Sequence, residues 1–289
     1  MQLPIDEQWT WQQAADKWLE ETVHKKDRRN DKAKLRWIGQ LWSGKLLREI
    51  DRETVRELAK RKLRTAKPST VNRYLALIRA ILRRAAREWQ WIEKPPYIRL
   101  EHEPSRRVRW LHPEQARALL EELADHQRHP MLFTLATGLR AGNVLNLRWE
   151  QIDLKRRVCW FYADQTKNGE DISISLNDSA MAVLYARRFV HPEFVFTYQG
   201  KPLQRLTTRA WYKALKRARI KNFRWHDLRH TWASWLVQEG VPLYALQEMG
   251  GWKTASMVRR YAHLSPAHNL RYAQTIDASL ATVANLGEF

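Results

Sequence analysis

A single cysteine, Cys159, stands among 289 residues. It allows no intramolecular disulfide and no thiolate zinc cluster, and it suits a reducing cytoplasm. No apolar run is long enough to span a bilayer. Met1 to Trp11 contains acidic residues and no apolar core segment, so it does not read as a secretory signal. Negative charge is also scarce, with 31 Asp and Glu against 51 Lys and Arg, a formal net charge of +20. No contiguous carboxylate cluster suggests a magnesium site, and neither an internal repeat nor a low-complexity tract is present. Hydrophobic residues are not lacking: at 44% they are enough for a buried core and exclude a disordered chain. An excess of basic charge this large calls for a polyanionic partner, and without a membrane signal nucleic acid is favoured over lipid.

The length suggests two domains. Residues 1 to about 95 read as helical. Trp9, Trp11, Ala14, Trp18 and Leu19 recur near helical spacing, and Pro68-Ser69-Thr70 opens a second helix with the stripe Val71, Tyr74, Leu75, Ile78, Ile81 and Leu82. Residues 51–100 hold 14 basic and 5 acidic residues, which makes Arg73, Arg79, Arg83 and Arg84 candidates to face phosphates. Pro95-Pro96 ends the helical pattern, and the polar stretch 96–108 reads as a linker. His112-Pro113-Glu114 starts a new helix over 115–123, with another over Met131 to Ala136. Val158–Tyr162 and the alternating Ile172, Ile174 and Leu176 predict a β-hairpin. Asn168-Gly169 is its turn signal, which puts Lys167 beside the turn. From Leu206 onward the chain reads as mainly helical.

Three clusters are chemically informative together. They are Thr137-Gly138-Leu139-Arg140, then His226-Asp227-Leu228-Arg229-His230-Thr231, then Gly250-Gly251-Trp252 with Tyr261 nine residues beyond the tryptophan. Each alone has an ordinary reading: a surface arginine, a helical His/Arg pair, a core tryptophan, a core tyrosine. His226 and Arg229 share a helix face at i, i+3, but so do His268 and Arg271, which have too little chain after them to supply partners.

In this order the clusters resemble the phage-integrase family of tyrosine site-specific recombinases. The flanking Asn146-Leu147-Arg148-Trp149, Ile152-Asp153-Leu154 and Leu228-Arg229-His230-Thr231 resemble it too, and the likeness is strong over about 110–265. The resemblance implies a mainly α (α+β) protein with two domains clamped around duplex DNA. A helical core-binding domain would cover 1–95, and a catalytic domain with a small antiparallel sheet would cover 109–289. It implies Tyr261 as nucleophile, with Arg140, Lys167, His226, Arg229 and Trp252 as the rest of the catalytic set. Trp252 stands where histidine is commoner, but its indole N–H can still donate to a phosphate oxygen. Asn143 departs from the acidic residue often found three positions after the first arginine.

Phosphodiester cleavage by a tyrosine needs such a set. Two guanidinium forks match the charge that spreads over the non-bridging oxygens. A phenol of pKa about 10 needs a proton acceptor, a role for which the resemblance makes His226 the candidate. By resemblance Lys167 protonates the departing 5′ oxygen, and no metal or other cofactor is needed. The expected partners are double-stranded DNA, a homotetramer on paired sites, and accessory bending or directionality factors, in a bacterial cytoplasm at the nucleoid. Ile276, Leu280 and Val283 at helical spacing predict a tail helix over about 266–289, and the resemblance implies that it docks on a neighbouring protomer. The rival readings are a type IB topoisomerase, a catalytically silent DNA-binding regulator and, more distantly, a metal-dependent nuclease.

Overall fold

The computed structural model describes residues 9–25, 27–104, 108–166, 169–264, 270, 273–277 and 279–280. The chain divides into two compact units, Met1–Arg106 and Arg107–Phe289.

The first unit is helical. α1 (Trp11–Glu21) opens with a reciprocal capping box, in which Thr10 and Gln13 satisfy each other's backbone N–H groups. It is followed by α2 (Arg28–Gly39), α3 (Arg52–Leu63) and the 20-residue α4 (Pro68–Arg87). Asp51 caps α3 by accepting from the Thr54 N–H, and proline fits the first turn of α4, where no donor is lost. Trp11, Trp18, Ile38, Leu75, Ile78, Ile81 and Leu82 form the core, so the expected stripe of α4 faces inward. Trp9 lies outside α1, stacked on Trp91 with centroids 4.0 Å apart.

Two features of this unit bear on the expectations for it. The stretch expected as a linker from residue 96 is held to the first unit as far as Glu103. Ile98 is buried, and the Asn72 amide donates to the Glu101 carbonyl (2.9 Å) and to Glu103 Oε1 (2.7 Å). Two of the four candidate phosphate-facing arginines have internal duties. Arg79 donates to the Ile98 carbonyl. Arg84 pairs with Glu21 and Glu88 and lies over the Trp18 ring. Arg73 and Arg83 are exposed.

The second unit begins with α5 (Pro113–Glu121), α6 (Asp125–Thr137) and the short α7 (Ala141–Leu145). α6 starts six residues before the expected Met131, because Pro130 is accommodated inside it instead of ending it. A three-stranded antiparallel sheet follows, in the order β1 (Ile152–Asp153), β2 (Val158–Phe161) and β3 (Ile172–Ser175). Val158 pairs with Ser175 and Phe161 with Ile172, so the predicted hairpin is present with a longer connection than a two-residue turn. Ile174 points into the core while Ser173 and Ser175 are exposed, as period-2 alternation requires. Then come α8 (Asp178–Arg187), the ribbon β4 (Thr197–Tyr198) and β5 (Lys201–Pro202), α9 (Arg209–Arg217), α10 (His226–Gln238), α11 (Leu243–Gly250) and α12 (Ala255–Arg259).

This unit has two cores. The larger lies around α6, α8, α9 and the sheet, with Phe133, Phe161, Leu184, Phe196 and Trp211. The smaller is built by α10, α11 and α12 from Trp232, Val237, Leu246, Val258 and Tyr261. α10 lies between them. It is stitched to the chain before α5, where Thr231 Oγ1 accepts from the Leu111 N–H (3.1 Å) and the Trp235 indole donates to the Leu111 carbonyl (2.9 Å). Most of the expected tail helix lies outside the described residues; Ile276 and Leu280 are described and exposed. No helix among the described residues is long and apolar enough to cross a membrane.

α6 ends on Gly138, which is left-handed (φ 66°) with the Trp232 ring packed against its Cα. Gly138→Ala meets both a disfavoured conformation and an occupied space, and is expected to cost at least about 2 kcal/mol. Gly142→Ala, in α7 with open space around it, is expected to be neutral or stabilising by up to about 1 kcal/mol. Urea unfolding of the full chain checks both.

Candidate active site

α10 supplies two predicted residues from its first turn. Asp227, 1% exposed, accepts from the Arg224 N–H (2.8 Å) and from the Arg224 guanidinium (2.9 Å), which fixes the start of the helix. His226 therefore stands exposed at the first position and Arg229 points inward, 4% exposed. Arg229 Nη1 donates to the Gly138 carbonyl at 2.6 Å and Nη2 donates to the Gly250 carbonyl. One side chain thus ties the end of α6 to the end of α11.

Arg140, half-buried, follows directly from the Gly138 turn as the residue that leads into α7. At the other end, Gly251 adopts a left-handed conformation (φ 57°) that stops α11 and turns the chain toward Trp252. The Trp252 ring covers Gly250, lies 4.2 Å from the Arg229 guanidinium carbon, and stacks on Trp232 with centroids 6.0 Å apart. Tyr261 follows α12 and is 1% exposed. Five of the six predicted residues are thus described, and all five lie around the α10 start, the Gly138 turn and the Gly250-Gly251 turn. The sixth, Lys167, lies outside the described residues. The connection that contains it is braced by Thr166 Oγ1, which donates to the Glu170 carbonyl (2.8 Å) and accepts from the Glu170 N–H (3.1 Å).

The hydroxyl of Tyr261 meets His230, which stands in the second sequence cluster but was not among the expected catalytic residues. His230 Nδ1 lies 2.6 Å from Tyr261 Oη, whereas His226, the expected acceptor, stands one turn earlier with its ring edge-on to His230 at 5.2 Å between centroids. The signal was present, since residues at i and i+4 share a helix face.

The electrostatics follow from burial and from cations crowding together. Burial, and then repulsion from Arg140, push Arg229 down to about 9, although the nearby Tyr261 works the other way; it stays charged at neutral pH. Burial also lowers Arg140. Tyr261 is pushed up to about 12 by burial, against the pull of Arg229 and Arg260, so its hydroxyl is protonated. His226 is lowered, first by loss of water and then by Arg229, Arg224 and Arg140, with Asp227 opposing. Among the described residues no carboxylate pairs with Arg140 or Arg229, and no group of three or more His, Cys, Asp or Glu is placed to hold a metal. Cys159 is buried and its thiol is pushed up to about 12, so it is no competing nucleophile.

Comparison with known proteins agrees with this arrangement. Residues 109–268 match the family described as Phage integrase family. The integrase of Salmonella phage P22 is 38% identical, over 94% of this chain and 81% of that protein. A shufflon-specific DNA recombinase of Escherichia coli is 31% identical, over 74% of this chain and 57% of that protein. Among solved structures, the Tn1549 transposon integrase in complex with transposon right end DNA is similar with a TM-score of 0.78 at 19% identity, covering 93% of this chain and 99% of that one. A lambda integrase dimer bound to a COC′ core site gives 0.72 at 18% identity, covering 86% of this chain and 97% of that one. At these identities the structural likeness concerns the fold, which is mainly helical with a small antiparallel sheet, as expected.

His230 is held down to about 4 by burial, then by His226, Arg260 and Arg224, with Asp227 opposing. Its folded value lies below the ordinary 6.5, so the stability tied to the neutral ring is complete above about pH 6.5 and is lost as pH falls through about 4. The native chain is therefore expected to lose stability over that window relative to His230→Gln. The difference should reach a slope of at most about 1.4 kcal/mol per pH unit, measured by urea unfolding of both chains from pH 7 to 4.

Proposed function

The chain belongs to the phage integrase family and is a tyrosine recombinase, and on that premise we propose that it cuts and rejoins DNA at specific sites through a 3′-phosphotyrosyl intermediate at Tyr261. The observation that carries this reading is the pair Arg140 and Arg229. Two guanidinium groups close enough to repel each other, one of them buried and neither paired with a carboxylate among the described residues, make a site for a doubly contacted anion. Arg229 spends two N–H groups on the Gly138 and Gly250 carbonyls, and a guanidinium has five. The remainder, with those of Arg140, are available to the non-bridging oxygens of a phosphodiester.

The other roles follow from position and from the family resemblance. Tyr261 attacks the phosphorus. His226, exposed beside the two arginines, contacts the phosphate, and Trp252 holds the Arg229 guanidinium against its ring face. Lys167 protonates the departing 5′ oxygen. The covalent tyrosyl ester conserves the energy of the broken bond, and the 5′ hydroxyl of another strand reverses it. On paired sites the active species is a homotetramer, and a lambda integrase tetramer bound to a Holliday junction has been solved. The biological reaction is integration or excision of a prophage or another mobile element, in a bacterial cytoplasm. Accessory bending or directionality factors, and exchange of the tail between protomers, belong to the same reading. So does a division into a core-binding and a catalytic domain.

The test is a nicked suicide duplex carrying the junction of the element that encodes this chain, incubated in EDTA. The native chain is expected to form a denaturation-resistant adduct, and Tyr261→Phe to bind without forming it. Arg140→Ala is expected to slow adduct formation by ~10²–10³. Two such sites should recombine, which a topoisomerase does not require. An adduct that appears equally with Tyr261→Phe would sink the assignment of the nucleophile.

Affinity should fall with salt, because phosphate contacts release counterions. With Arg73 and Arg83 as phosphate contacts, the double Arg→Ala variant should bind more weakly, and the slope of log affinity against log salt should be shallower by about 2. Titrations at several salt concentrations check this.

A further inference from the structure

We infer that His230, and not His226, takes the proton from the Tyr261 hydroxyl as the phosphodiester is attacked. The inference deepens the recombinase reading and rests on it.

The geometry singles out one nitrogen. His230 Nδ1 lies 2.6 Å from Tyr261 Oη, a short hydrogen bond between the nucleophile and a side chain one helical turn inward from His226. Tyr261 is buried and His230 is partly buried. Tyr261 belongs to the small core of Trp232, Val237, Leu246 and Val258, and its backbone N–H donates to the Val258 carbonyl at 2.9 Å. His230 is fixed in the middle of the first two turns of α10, between the buried Arg229 and the buried Thr231. The pair is therefore within hydrogen-bond reach in the absence of substrate, the geometric condition on a general base.

The charges around the pair favour this direction of transfer. His226 and Arg224 from the start of α10, and Arg260 from beyond α12, press on the His230 ring, while Asp227 alone opposes them. The ring is thereby kept neutral and can accept; a protonated ring could not. A bound phosphodiester adds negative charge beside Arg140 and Arg229, offsets that crowding and strengthens His230 as a base when it is needed. His226, exposed, is left free to contact the phosphate. In the step itself the Tyr261 Oη–P bond forms and the P–O5′ bond breaks. The tyrosyl proton passes to His230 Nδ1, and the 5′ oxygen takes a proton from a separate donor. The reverse attack by a 5′ hydroxyl returns the proton from His230 to Tyr261.

The test compares single-turnover adduct formation by the full chain on the suicide duplex, from pH 6.5 to 9. The chains are native, His230→Asn and His226→Asn. Asparagine at 230 keeps a hydrogen-bonding group near the position of Nδ1 but cannot act as a base. The native rate is expected to be nearly flat with pH. The His230→Asn rate is expected to be lower by ~10²–10⁴ near neutrality and to climb about tenfold per pH unit as tyrosinate becomes the reactant. His226→Asn should be slowed without acquiring that slope. His230→Ala with added imidazole should regain rate in proportion to the free base, which a misfolded chain could not do. A His230→Asn chain with native rate and native pH profile overturns the inference, and so does a slope that appears in His226→Asn instead. In both cases the Tyr261 adduct of the native chain, and with it the recombinase reading, still stands. A native chain that forms no adduct overturns the recombinase reading and this inference together.

Discussion

Arg229 carries a full positive charge at a position 4% exposed, and it is held there by two backbone carbonyls instead of a carboxylate. A buried charge left without partners is costly, and a carboxylate is the usual remedy. Here the partners are the carbonyls of Gly138, just past the end of α6, and of Gly250, the last residue of α11. Both belong to helix C-termini, where carbonyls lack intrahelical donors and the helix dipole is negative. Two fractional charges compensate the guanidinium enough to keep it buried and leave a net positive charge in the pocket. A paired carboxylate would have cancelled the charge that makes the site attractive to a phosphodiester.

The rest of the site is arranged around that choice. For both carbonyls to face Arg229, the chain turns through left-handed glycines at 138 and 251. The room left by missing side chains at Gly138 and Gly250 is filled by Trp232 and Trp252, which stack on each other. The same tryptophans wall the small core in which Tyr261 sits. Nucleophile, anion site and helix ends are therefore one packing unit. Disturbing Arg229 loosens the α6 end, the α11 end and the ring over its guanidinium together. The larger core, around α6, α8 and α9, supplies a platform but none of the reacting groups.

How much of this the sequence disclosed depends on whether the information was local. The order Arg140, His226, Arg229, Trp252, Tyr261 was legible because each residue sits in a short motif. The alternation at Ile172 and Ile174 announced the strand they form. The first half of α6 was not legible, because it is polar and carries Pro130, and its helical turns are settled by packing. The internal partners of Arg79 and Arg84, two candidates to face phosphates, were not legible because the Ile98 carbonyl and Glu21 are 19 and 63 residues away. The stretch after Pro96 looked like a linker because its tie to Asn72 spans 29 residues. His230 was passed over for a different reason. Its spacing from His226 was visible, but only the return of Tyr261 against α10 shows which of the two histidines it meets.

The global and local charges do different work. A formal excess of +20 over the whole chain can draw a polyanion from any direction and at any sequence, an attraction that salt screens. The pair Arg140 and Arg229 acts at contact, partly buried and beyond the reach of most screening. A nucleophile beside Arg229 and Arg260 has to be kept from being a permanent tyrosinate, which those cations would otherwise hold as an internal salt partner in place of a phosphate. Burial does this: it raises Tyr261 to about 12 in spite of Arg229 and Arg260, so the anion site stays open to an incoming phosphodiester. The short bond to His230 then gives the hydroxyl somewhere to send its proton at the moment of attack. Desolvation thus serves both halves of the site, keeping the arginines' charge undiluted by water and the tyrosine uncharged until it reacts.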